Sequence, residues 1–257
     1  MARYYRSSIQ KTKKLSFKKA VLTFLILGTG GGLIFWFLFS GTLAFQEVVV
    51  KVPLNSLKNS LVKQKVESLL NQKIFRVIPH NNFFLVKQQW LNEQLKKDFL
   101  EIDKVVVKKD FFKKKLDLEI SLRKPLLIWC FVKECFYVDR EGIFFKKAPW
   151  LYSSSMPIVQ DDRSVRGKIS ETELEGIVIL HKSLFSFSRF QIVNETDFKA
   201  FSSGGWEAKF SFTQPIDEQL SNLVQVWERR FQKSPDNLDY IDLRIPGRVY
   251  YKLKSTP

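Results

Sequence analysis

Two histidines, two cysteines and two methionines in 257 residues leave little material for metal or thiol chemistry. Neither His80 nor His181 has Cys, Asp or Glu at metal-ligand spacing, and neither H-E-x-x-H nor C-x-x-C occurs. His181 falls near the end of a predicted helix, where a cation suits the dipole. "SSS" (153–155) lacks the G-x-S-x-G context of an activated serine. The acids of "ETELE" (171–175) suit a helix first turn and read as solvated. No repeat or low-complexity tract appears. These absences point away from an enzyme, and no cofactor or metal is expected.

Charge is missing from two places. Residues 1–20 hold seven Lys/Arg and no acid. From Ala20 to Gln46 there is no charged residue at all. Within that gap, "VLTFLILGTGGGLIFWFLF" (21–39) is nineteen residues long, twelve of them Val, Leu, Ile or Phe. That is about enough to cross a ~30 Å hydrocarbon core. Those twelve favour insertion by roughly 4–7 kcal/mol before the glycines are counted. A cleaved signal peptide has a shorter apolar region, so "SGTLA" (40–44) is the weaker reading. The cationic leader predicts a cytoplasmic N-terminus, with the chain after about residue 46 outside. Gly28, Gly30, Gly31 and Gly32 lack the rest of a nucleotide cradle, and small residues in such a helix suit close packing.

The net charge of +16 is carried by the N-terminal half. Residues 46–125 have 17 basic and 9 acidic side chains, while residues 126–257 have 18 and 17. "KKDFFKKK" (108–115) offers two readings. It is a patch for nucleic acid or lipid headgroups, or a strand-to-strand turn kept soluble by lysines; the turn is favoured.

Patterning predicts two modules. "EVVVKV" (47–52) reads as a short buried strand. A helix follows, capped at Asn55 or Ser56, with Leu57, Leu61, Val66, Leu69 and Leu70 on one face. A second helix covers 86–100, and strands cover 102–110 and 115–123. In the last, Leu116, Leu118, Ile120 and Leu122 alternate with polar residues, which gives a strand with one buried face. From Pro125, "LLIWCFV" and "CFYVD" form a hairpin turning near "KE", and "REG" turns into "IFFKKA". Ser170 and Glu173 form a capping box for a helix over 170–182. "FQIVNETDFKAF" is strand-like, and its "NET" (194–196) fits a glycosylation sequon too short to carry weight. "SSGG" (202–205) turns into "WEAKFSF". A helix starting at Pro215 carries the stripe Ile216, Leu220, Leu223, Val224, Trp227 and Phe231. Two strand-like runs around Pro246-Gly247 close the chain.

Cys130 and Cys135 lie on opposite arms of the predicted hairpin. They read as a disulfide if the register sets them face to face in an oxidising compartment, or as two buried thiols. A bridge over so short a loop contributes about 2 kcal/mol at best.

Three stretches, taken in order, resemble the FtsQ/DivIB family of bacterial division proteins. The first is the layout of basic tail, single span and strand–helix–helix–strand–strand module, which is similar to a POTRA domain. The second is "LRKPLLIWCFVKECFYVDREGIFF": an Arg-x-Pro leads to a Trp strand, and a hairpin follows with Tyr137, Val138, Asp139, Gly142 and Phe145. The third is the late strand bearing Asp242, Leu243 and Arg244. The resemblance implies an α+β chain of four parts. These are a basic cytoplasmic tail (1–20), a transmembrane helix (21–45), a POTRA-like β-α-α-β-β domain (46–123) and a mixed or antiparallel β domain with covering helices (124–257). It implies a non-enzymatic scaffold of the septal division machinery in the cell membrane. The implied partners are the coiled-coil proteins FtsB and FtsL (DivIC in other lineages), bound by strand addition at the last sheet edge through Arg244, Ile245, Gly247, Val249 and Tyr250. The rival expectation is a POTRA-type membrane protein of export or envelope assembly.

Overall fold

The computed structural model describes residues 17–39, 44–53, 59–74, 78–79, 81–132, 134–149, 156–163, 169–232 and 237–254. The tail 1–16, the cap at Asn55 or Ser56, Leu57, His80, the turn residue Lys133 and the Ser153–Ser155 run lie outside them. The chain is α+β and divides into two compact units. One comprises residues 1–95 and 105–120, the other residues 96–104 and 121–257.

The first unit begins with α1 (Phe17–Phe39). Ala20, Ile34 and Phe37 to Phe39 are among the side chains not described, so the described run is broken. Among the described residues no helix is long and apolar enough to cross a membrane. Then come β1 (Glu47–Lys51), α2 (Asn59–Leu70), the short pair β2 (Lys73–Ile74) and β3 (Ile78–Pro79), and most of α3 (Gln88–Asp98), β4 (Ile102–Asp110) and β5 (Lys115–Leu122), whose residues 96–98, 102–104 and 121–122 are grouped with the second unit. The sheet order is β1-β5-β4, with β1 parallel to β5. The sequence pattern did not anticipate β2 and β3.

The alternation in β5 works as the period of two requires: Leu116, Leu118 and Ile120 are buried. Two expectations need correction. As an edge strand, β1 has one side without strand neighbours, so Val48, Val49 and Val50 are half-buried rather than buried. In α2 the inward stripe is Val62, Val66, Leu69 and Leu70, while Leu61 is exposed. Leu61 and Val62 are about 100° apart on a helix, so one apolar neighbour can replace the other at the core.

β4 is an edge strand, and α3 seals it. Asn92 Oδ1 accepts from the Val105 N–H (3.0 Å) and Gln88 Oε1 from the Val107 N–H (3.3 Å). Side-chain amides thus satisfy ladder donors that would otherwise face outward.

The second unit contains β6 (Leu127–Cys130), β7 (Cys135–Val138), β8 (Phe144–Ala148), β9 (Ile158–Asp161), α4 (Glu171–Lys182), β10 (Arg189–Ile192), β11 (Asp197–Phe201), β12 (Glu207–Ser211), α5 (Ile216–Val226), β13 (Leu238–Asp242) and β14 (Tyr250–Leu253). They make one nine-stranded sheet ordered β14-β13-β12-β11-β10-β9-β6-β7-β8. β9 runs parallel to both β6 and β10, and β12 parallel to β13; the other pairs are antiparallel. α4 and α5 cover one face. Their Leu174, Ile177, Leu180, Ile216 and Leu223 join Trp129, Phe190, Phe198, Phe210 and Ile241 in the core.

The Ser170–Glu173 capping box forms as expected. α5 deviates in two ways. Pro215 is the cap rather than the first helical residue, and the helix end widens into a π turn over Trp227–Phe231. Buried Gln219 interrupts the predicted apolar stripe. Its Oε1 accepts from the Ser211 N–H (2.9 Å) and its Nε2 donates to the Ser211 carbonyl (2.8 Å), extending the β12 ladder. "NET" is the β10–β11 turn: Asn194 Oδ1 accepts from the backbone of Thr196 and Asp197, both at 2.8 Å.

Candidate functional site

Three strand ends of the second unit carry an aspartate, and arginines hold all three. At the end of β7, Asp139 Oδ1 accepts from the N–H groups of Glu141 and Ile143, both at 2.9 Å. Its Oδ2 is paired with buried Arg123. At the end of β9, Asp161 Oδ1 accepts from Arg163 Nε (2.9 Å) and the Arg163 N–H (3.0 Å). Asp161 Oδ2 accepts from Arg163 Nη2 (2.9 Å) and Trp129 Nε1 (3.1 Å). At the end of β13, Asp242 and Arg244 repeat the fork: Nε to Oδ1 at 2.9 Å and Nη2 to Oδ2 at 2.6 Å. Burial alone would raise the Asp242 carboxyl, but the Arg244 fork and backbone N–H outweigh it and hold the group below its usual range. The Asp242 hydrogen bond drives the Arg244 guanidinium further above its ordinary value, against a smaller loss from burial.

Glu173, read from sequence as solvated, is not. It accepts from Arg163 Nη2 at 2.8 Å as well as closing the capping box. Trp129 reaches Asp161 from another strand across 32 residues of sequence. Sequence reasoning missed this network. The one available signal was the repeated Asp-x-Arg of Asp161–Arg163 and Asp242–Arg244.

The segment after β13 is built on that second fork. Ile245, Pro246, Gly247 and Arg248 form a turn closed by Arg248 N–H to the Ile245 carbonyl (3.1 Å). Pro246 presets the second position, and Gly247 takes φ +69° at the third, as a type II turn requires. The chain returns as β14 against β13, with Tyr250 opposite Asp242 and Tyr251 opposite Ile241.

The structure therefore sorts the five expected contact residues. Arg244 is held by Asp242 and by Asp197 (Nη1 to Oδ2, 2.9 Å). Gly247 shapes the turn. Val249 is partly buried against the core. Ile245 and Tyr250 are each 48% exposed. Beyond them, Tyr251 and Leu253 are also exposed, and sequence reasoning left Leu253 out.

β14 is the last strand of its sheet, and all four residues are exposed. Lys254 N–H donates to the Asn237 carbonyl. Antiparallel pairing alternates, so residues 250, 252 and 254 bond inward to β13. The N–H and C=O of Tyr251 and Leu253 then face the open side. The Tyr251 ring packs against Phe231 at 5.1 Å, and Tyr250 occupies the opposite face.

The other end of the sheet is guarded. β8 carries consecutive lysines, Lys146 and Lys147, and a register shift against β7. The hairpin beneath it is closed by a Cys130–Cys135 disulfide between directly opposed residues, with Cα atoms 4.0 Å apart. The two sulfurs sit with buried Ile128.

Among the described residues no group of His, Cys, Asp or Glu is arranged to hold a metal ion. His181 Nδ1 is 2.7 Å from the Phe187 carbonyl, in the last turn of α4. The chain matches no protein-family model and no curated protein.

Proposed function

We propose that this chain is a membrane-tethered, non-enzymatic scaffold of the bacterial division machinery that takes up a partner strand along β14. One observation carries the reading. Of the two edges of the nine-stranded sheet, β8 is guarded by lysines, while β14 presents Tyr250, Tyr251 and Leu253 beside backbone groups that face outward. An open, apolar edge is an aggregation hazard unless it has a use, and strand addition is that use. Lys252, the one charge within β14, is paired with Asp239 at 3.1 Å.

Two features support the rest. By sequence, the charge-free run 21–39 is nineteen residues long and apolar enough for a single membrane span with its basic leader in the cytoplasm. The resemblance of the Tyr137–Asp139 and Asp242–Arg244 sequences to FtsQ/DivIB is what favours the division machinery. The partners that follow from this reading are the single-span coiled-coil proteins FtsB and FtsL, or DivIC.

The test replaces Leu253 by Pro in the full-length chain. Proline removes an outward N–H and leaves the β13 ladder intact. Affinity purification from native membranes is expected to recover short single-span coiled-coil proteins with the wild type and to lose them with the variant. Equal recovery with both would refute the edge. A fluorescent fusion spread evenly around the cell, with no septal band, favours export or envelope assembly instead.

A further inference from the structure

The β4–β5 turn is the most exposed apolar point outside α1 among the described residues. Phe112 is 96% exposed, Phe84 61% and Phe111 50%. They are not scattered. Phe45, Phe83, Phe111 and Phe112 form a chain of rings with centroids 5.3, 5.2 and 6.1 Å apart, and Phe84 joins Phe83 at 5.8 Å. Lysines rim the rings. Lys109 Nζ donates to the Phe83 carbonyl (2.8 Å) and lies 5.4 Å over its ring. Lys108 and Lys113 are exposed and Lys114 half-exposed; Lys108 also pairs with Glu119 at 2.7 Å. Asp110 is the acid nearest the tip, and it accepts from the Lys113 N–H at 3.0 Å.

The position of this knob along the chain decides what it meets. Ala44 bridges Asn82, Phe45 N–H donates to the Asn81 carbonyl (3.1 Å), and Gln46 N–H donates to the Lys114 carbonyl (2.8 Å). The chain leaving α1 is thus bonded directly to the knob. Only five peptide steps separate Phe39 from Ala44, and a fully extended chain covers about 18 Å in that length. The headgroup layer beside the hydrocarbon is itself roughly 5–8 Å deep.

We infer that the Phe84–Phe111–Phe112 tip, with Lys109, Lys113 and Lys114 around it, seats in the headgroup layer of an anionic bilayer on the side where the folded units lie. This rests on the reading of α1 as a membrane span. The short tether keeps the tip within reach of the surface. Rings at the acyl boundary with lysines at the phosphates satisfy both kinds of group. Rings this exposed suit a deformable lipid surface.

The test uses the full-length protein in phosphatidylcholine vesicles with and without phosphatidylglycerol. A polarity-sensitive dye goes on Phe112→Cys, with Ser203→Cys as a control on the β11–β12 turn and Leu27→Cys inside α1. The native cysteines are bridged and do not compete. The Phe112 dye is expected to shift blue and be quenched by shallow spin-labelled lipid, more strongly with phosphatidylglycerol, while the Ser203 dye stays aqueous. Changing Lys113 and Lys114 to Gln is expected to lower the inserted-to-free ratio on anionic vesicles by about thirtyfold. A Phe112 dye as aqueous as the Ser203 dye in both vesicle types overturns the docking, whatever α1 does. A Leu27 dye untouched by deep quenchers overturns the span and the tethered docking with it, whereas a quenched Leu27 dye beside an aqueous Phe112 dye overturns the docking alone.

Discussion

Arg163 grips Asp161 with two parallel hydrogen bonds of 2.9 Å and reaches Glu173 with the same Nη2 at 2.8 Å, so one guanidinium ties β9 to the first turn of α4. The Asp161 side chain is 2% exposed and accepts four hydrogen bonds, two of them from the fork, one from its own loop and one from Trp129. A buried carboxylate satisfied this fully costs little; one deprived of its cation costs a great deal.

Arg163→Met is expected to destabilise the second unit by about 3–5 kcal/mol, since it strands Asp161 without its countercharge. Arg163→Lys keeps the charge but loses the planar fork, and falls between the wild type and Met. Urea unfolding of the full-length protein in detergent, followed by tryptophan fluorescence, checks the order. A Met variant as stable as the wild type would remove the network from the account.

Acid should loosen the β13–β14 end of the sheet. The folded Asp242 carboxyl titrates below its usual range. Its contribution is fully present above the unfolded value of about 3.9 and is lost as pH falls through the depressed folded value. Melting temperature is expected to drop as pH falls below about 4, and Asp242→Asn to flatten that slope while lowering stability at pH 7. An unchanged slope in the Asn variant contradicts the assignment.

Reduction of the Cys130–Cys135 bridge releases a very short loop. The chain-entropy estimate for such a loop is about 2 kcal/mol, and the buried hairpin should stay folded when reduced. Denaturation with and without dithiothreitol measures the difference. A loss well above ~4 kcal/mol would mean that the bridge holds more than its own hairpin.

Gly142 and Gly205 share φ +75°, yet they should respond differently to alanine. A Cβ at Gly142 would lie 2.7 Å from the Ile169 carbonyl oxygen, a backbone atom that also receives no relief from a flexible side chain. At Gly205 nothing lies within 4 Å. Gly205→Ala should cost about 1–2 kcal/mol from the left-handed backbone alone, and Gly142→Ala distinctly more. Equal losses in chemical denaturation would show that the Ile169 segment yields.

The amino-acid order alone settled the local features. The alternation of β5, the Ser170–Glu173 capping box, the Gly-rich β11–β12 turn and the charge-free run of α1 were all legible, because each rests on neighbours within a few residues. What it did not disclose depends on partners distant in sequence. β9 is only four residues long and follows a Ser-rich stretch, and it is a strand because β6 and β10 flank it on both sides. The choice of Val62 over Leu61 and the pairing of Trp129 with Asp161 were likewise tertiary decisions. So was the difference between sheet edges. "VYYKLK" reads the same whether its outer side is covered or bare, and only the strand order leaves Tyr251 and Leu253 with backbone groups facing outward. Local signals set which backbone each segment prefers; long-range packing sets which of its surfaces remains unpaired.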